Sequence, residues 1–87
     1  MIMDNTTCHL KQLRTAAGKS QDDVVKGANE FVALMFPLTV RLDRVTLSKA
    51  ENRSIILIPS HVCAIAAFLD CDMHDIYPYL YPEEPAG

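Results

Sequence analysis

Apolar positions recur along the chain in clusters spaced for helices, each framed by residues that start or stop a helix. Leu10, Leu13 and Ala17 share one face of a predicted first helix over residues 7–17, with Thr6 or Thr7 as its cap. Gly18 follows where a left-handed residue ends a helix. Ser20-Gln21-Asp22-Asp23 sets an acid three residues after a hydroxyl, a variant of the capping box, and opens a second helix with Val24, Val25 and Ala28 inward. Asp43 caps a third helix over residues 44–52, where Leu47 and Ala50, with Leu42 just before the cap, fall on one inward face. Pro59 suits the first position of a fourth helix, whose Val62, Ile65, Ala66 and Leu69 make it the most buried of the set. Asp72-Met73-His74-Asp75 repeats the cap-and-acid pattern and opens a short fifth helix through Ile76 and Tyr77, which Pro78 ends.

Two apolar stretches fit this scheme less directly. Phe31, Val32, Leu34, Met35 and Phe36 either extend the second helix until Pro37 stops it, or form a separate turn after a break at Gly27 or Asn29. In both cases residues 29–41 are too apolar for an ordinary solvated loop, so they pack on the core or supply a dimer contact. Ile55-Ile56-Leu57-Ile58 is too short for a sheet of its own; it is an extended connector or an edge that pairs with a second copy. Residues 1–78 thus read as one all-α domain of five short helices, the second and third joined as a helix-turn-helix, followed by a Pro-rich tail, 79–87, that ends disordered.

Composition narrows the class. Among 87 residues, 49% are hydrophobic, enough for one thin core without staples. Apolar runs stop short of membrane-spanning length and Met1-Ile2-Met3-Asp4 lacks the features of a signal peptide, which predicts a cytoplasmic protein with no membrane partner. Cys8, Cys63 and Cys71 have no CxxC spacing and read as small buried hydrophobes. His9, His61 and His74 lie on different predicted helices without a second ligand at metal spacing, so no metal or other cofactor is expected. No Gly-rich phosphate loop, no Ser/His/Asp set and no paired carboxylates in a cleft point to an enzyme.

Charge changes the picture more. The net charge of −3 is unevenly spread: residues 1–53 carry all eight Lys and Arg against six acids, whereas residues 54–87 carry five acids and no Lys or Arg. This predicts a basic face for an anionic partner and an acidic end turned away from it. On the third helix Arg44, Val45, Ser48 and Lys49 remain on the outward face, a set of donors and one apolar group suited to base edges in a major groove. Glu51 is expected to pair with a nearby cation or pack against the domain. The exposed start of the second helix places Gln21 beside free backbone N–H groups that can hold a phosphate.

The chain resembles the helix-turn-helix family of phage Cro and phage repressors, the xenobiotic-response-element (XRE) family. The resemblance rests on Leu13-Arg14, Gly18-Lys19-Ser20-Gln21, the run from Arg44 through Asn52, the run from Ala64 through Asp70, and Asp72-Met73-His74-Asp75-Ile76, in that order over residues 10–77. It implies a five-helix lambda-repressor-like domain with an extended apolar insertion between helices 2 and 3, working as a homodimer on a palindromic operator in double-stranded DNA. By position, Arg44, Val45, Ser48 and Lys49 would face base edges, with Arg44 the candidate for a bidentate contact to guanine. Lys19, Gln21, Thr46, Asn52 and Arg53 would hold the phosphate backbone. The chain departs from the family in the longer link between helices 2 and 3 and in Arg53, which stands where the family has glycine. The alternative is a protein-interaction module, an antitoxin or phage-encoded binder, that keeps the frame and uses residues 31–40 or the acidic C-terminal end on a protein partner. The Tyr77-to-Pro82 segment is read as a small apolar cluster.

Overall fold

A computed structural model describes residues 7–82 and contains five helices: α1 (Leu10–Ala16), α2 (Gln21–Met35), α3 (Arg44–Glu51), α4 (Pro59–Leu69) and α5 (Met73–Ile76). No strand occurs among the described residues, so the expected all-α fold of five helices holds. α2 packs on α4 along the middle of the molecule, with α3 against α2 and α5 against α4. Leu10, Val24, Ala28, Leu42, Leu47, Ala50, Val62, Ile65, Ile76 and Tyr77 are buried between them. Every predicted helix contributes to that core.

Local signals account for most helix ends. Ser20 and Asp23 exchange side chain and backbone at the start of α2 at 3.0 Å each way, and Asp72 and Asp75 form the same box before α5. The Asp43 carboxylate accepts from the Thr46 N–H at 2.7 Å and caps α3. Gly18 takes φ +70° after α1. Arg53 takes φ 62° after α3, with its N–H on Ala50 and that of Ser54 on Lys49, so a long cationic side chain occupies a site that favours glycine.

The first helix differs from expectation. It begins at Leu10 after His9 rather than at residue 7, and the His9 N–H donates to the Ile76 carbonyl at 2.9 Å, which ties the chain to the end of α5. Thr7 lies ahead of that point, and Thr6 is outside the described residues. Ala17 follows the helix and is exposed, not inward, because α1 is too short to carry its apolar stripe that far.

α2 runs without interruption to Met35, so the first alternative for the apolar stretch is realised. Gly27 does not break it; a Cβ there would collide with the Phe68 ring, so glycine permits α2 and α4 to approach closely. Asn29 does not break it either. Its side-chain amide donates to the Leu42 carbonyl at 2.8 Å and accepts the Leu42 N–H at 2.7 Å. This buried pair clasps the connection 36–43 to α2, and removing it would orphan two backbone groups at about 1–3 kcal/mol each. On its other side the connection is held by His61, whose Nε2–H donates to the Val40 carbonyl at 2.7 Å.

Residues 55–58 form the extended connector, with Leu57 buried and Ile56 and Ile58 exposed. The Leu57 N–H, which has no helix to serve it, donates to the Tyr77 hydroxyl at 3.1 Å. The core continues past Pro78: Leu80 and Tyr81 pack on it, and the Tyr77 and Tyr81 rings lie 6.5 Å apart. Residues 83–87, most of the predicted tail, are outside the described residues. Cys8 is buried and Cys63 and Cys71 are partly so, all with free thiols.

Burial pushes the Tyr77 phenol up to about 12 from an ordinary 10.0. A group whose folded value is raised stabilises the fold fully below its unfolded value and loses that contribution as pH rises through the folded one. Stability should therefore fall between about pH 10 and 12. In urea titrations followed by circular dichroism, Tyr77→Phe should show a shallower fall over that window, and at neutral pH a loss of about 1–3 kcal/mol from the orphaned Leu57 N–H.

Candidate nucleic-acid interface

The candidate surface begins with one carboxylate. Glu51, on the last turn of α3, is turned inward and its side chain is 3% exposed; the Arg14 side chain that meets it is 12% exposed. Arg14 Nε and Nη2 donate to the two Glu51 oxygens at 2.7 and 3.1 Å. A third Arg14 donor, Nη1, reaches the Lys19 carbonyl at 2.9 Å and so braces the turn between α1 and α2. The carboxylate raises the Arg14 guanidinium above its ordinary value, against the effect of burial. Glu51 pairs with a cation as its sequence context predicts, and Arg14 proves to be the cation.

Gln21 extends this bond set to the surface. Its amide donates to Glu51 Oε1 at 2.9 Å and its carbonyl oxygen accepts from Arg44 Nε at 3.3 Å. A line of hydrogen bonds thus runs from α1 through the end of α3 and the start of α2 back to the first residue of α3. Arg44 also approaches Asp22, with Nη1 3.7 Å from Oδ2, but these side chains are 66% and 74% exposed and the pair is worth little in water.

Gln21, Arg44, Val45, Ser48 and Lys49 line one shallow depression on the surface. The four residues predicted to face base edges are therefore brought together with the predicted phosphate contact. The other predicted contacts are dispersed. The Lys19 ammonium sits 5.8 Å from the centre of the Phe68 ring, in a separate groove with Asp23, Lys26, Gly27 and Glu30. Thr46 faces a depression shared with Val40, Arg41, Asp43 and residues 55–58. Asn52 caps the C-terminus of α3 and Arg53 follows it, both exposed.

Two residues that hold this geometry carry little sequence signal as site components: Asn29 reads as a potential break and His61 as a non-ligand. Asp22, part of a cap in the sequence, adds an exposed charge beside Arg44. Asn29 does leave a trace: it interrupts the apolar stripe of α2 between Ala28 and Val32, where a polar side chain must find a buried partner. No group of His, Cys, Asp and Glu suited to hold a metal ion occurs among the described residues. Comparisons with protein-family models, curated proteins and solved structures find no match.

Glu51→Leu should leave Arg14 largely buried without its counter-ion and cost about 3 kcal/mol in urea denaturation. Replacing both partners together, as Arg14→Leu with Glu51→Leu, should recover most of that loss in a double-mutant cycle. Additive losses in the double variant would mean that the pair is not coupled.

Proposed function

We propose that the protein is a cytoplasmic, sequence-specific regulator that binds double-stranded DNA as a homodimer and represses by occupying a palindromic operator. In this proposal α2, the connection 36–43 and α3 form a helix-turn-helix of the XRE type, with α3 in the major groove. The observation that carries it is the exposed, donor-rich face of Arg44, Val45, Ser48 and Lys49 on a helix whose opposite face is locked into the core by Leu47, Ala50 and Glu51. A helix must be rigidly held if four side chains are to meet base edges in register.

Within this reading each side chain has a distinct task. Arg44 supplies a fork of parallel donors for the O6 and N7 of guanine, and Lys49 and Ser48 add shorter-range donors one turn on. Val45 offers an apolar surface to a thymine methyl. Gln21 orients Arg44 through its carbonyl oxygen, while its amide remains on Glu51, so its role in holding phosphate is shared with its role in positioning. Asp22 acts in the opposite sense: its exposed carboxylate repels phosphate.

A second reading, a protein-interaction module with a protein partner, is favoured by the exposed Leu34, Met35, Leu38 and Val40. Salt separates the two, since groove binding through several cations weakens steeply with ionic strength and apolar contacts do not. Selection from a random pool of duplexes tests the main reading. The expected result is an enriched palindrome bound at least about a thousandfold more tightly than scrambled DNA. No enrichment, with only weak salt-sensitive binding, would overturn it.

Arg44→Ala should cost about 1–3 kcal/mol on the selected site and relax preference at one base position, measured by titration against single-base variants of that site. Asp22→Asn should act in the other direction, tightening binding on all duplexes alike. Its effect should shrink as salt is raised, because the carboxylate acts on phosphate through a screened field.

A further inference from the structure

The end of α2 and the connection after it carry the most open apolar surface of the described residues. Leu34 is 82% and Leu38 100% exposed, with Met35 and Val40 exposed beside them. Next to this patch lies a cleft of about 540 Å³ lined by Val32, Ala33 and Pro37 and by polar residues that include Glu30 and Arg41. Leu38 stands on the turn between Pro37 and Thr39, which line the cleft, but does not itself line it. A projecting apolar side chain thus stands beside a depression whose lining offers both apolar and charged groups.

We propose that this face binds a second copy of the chain about a two-fold axis, with Leu38 of each copy entering the cleft of the other and Glu30 of each meeting Arg41 of the other. A two-fold contact requires that one patch carry both halves of every interaction. This one carries a knob and a receptacle, an acid and a base. Neither Glu30 nor Arg41 forms an ion pair with another described residue, so both charges are available at the rim. The alternatives fit less well. Leucines offer nothing to a phosphate backbone, and a membrane surface calls for a cationic fringe free of acids. An unrelated protein would need only one half of each pair. Several large apolar side chains left open along one short stretch mark an interaction surface. The inference rests on the homodimer of the proposed function and adds its surface, but it does not require α3 to touch DNA.

Sedimentation equilibrium of the full chain without DNA tests it. The wild type should self-associate to a dimer, and Leu38→Asp should raise the dimer dissociation constant on the order of tenfold or more. Glu30→Arg should also weaken the dimer, and Glu30→Arg combined with Arg41→Glu should restore it. All three positions are exposed, so circular dichroism should be unchanged; Leu34→Asp provides a second apolar variant. A wild type that stays monomeric at concentrations on the order of 100 μM overturns the proposal. So does a dimer indifferent to both aspartate variants, or a Glu30→Arg defect that Arg41→Glu does not repair. A monomeric wild type would also remove the free homodimer from the proposed function, whereas base reading by α3 is tested separately, by whether selection enriches a duplex.

Discussion

Glu51 has two oxygens and nearly no access to water, and three parts of the chain depend on how those oxygens are satisfied. Arg14 comes from the end of α1, Gln21 from the start of α2, and Glu51 itself from the end of α3. A buried carboxylate left unpaired is costly, so these elements settle where its donors converge. The same arginine braces the α1–α2 turn through the Lys19 carbonyl, which fixes the direction in which α2 departs. Such a bond set is directional in a way that the apolar contacts of Leu47 and Ala50 are not. Apolar packing of Leu47 and Ala50 decides which face of α3 turns inward, and the carboxylate ties the end of that helix to α1 and α2.

The link between α2 and α3 shows a second constraint. Lengthening the link between two packed helices would ordinarily loosen their relative placement, since each added residue adds freedom. Here α2 runs on to Met35, and the connection that follows it is pinned from both sides by Asn29 and His61. Asn29 makes the bonds to Leu42 that a neighbouring backbone would make in a sheet, in a protein that has no strand among its described residues. The connection is therefore anchored immediately before the α3 cap, and its apolar side chains are left outside that anchor. The surfaces proposed for DNA and for a second copy are thus set by different residues of the same segment.

Electrostatics on the α3 face is a balance rather than a simple positive field. Arg44 lies between the Gln21 carbonyl oxygen and the Asp22 carboxylate, while α2 begins with two acids that favour the helix but not a nearby phosphate. Acids at a helix start stabilise it through the backbone N–H groups, and the Ser20 bonds hold Asp23 below the usual carboxylate range. The stability of α2 and the attraction of its N-terminus for an anion are therefore in opposition. In the proposed function, specific donor geometry on α3 has to supply what net charge does not.

Helix number, order and most boundaries were legible in the chain because they follow from neighbours in sequence. Capping boxes at Ser20 and Asp72, the Asp43 cap, Gly18 and Pro59 act within one turn, and apolar spacing marked Leu47 and Ala50 as inward. The outward set of Arg44, Val45, Ser48 and Lys49 follows from the same periodicity. The bond that ties the start of α1 to Ile76, far along the chain, was not legible. Nor was the choice between a broken and an unbroken α2, since helix propensity at Gly27 and Asn29 argues for a break, and only Phe68 and Leu42 supply reasons against it. Arg14 as the partner of Glu51, and Gln21 as the bridge to Arg44, likewise required the helices to be in place. Short-range order was written in periodicity and caps, whereas the pairing of buried polar groups was decided only in three dimensions, because a buried donor selects its acceptor by proximity in space.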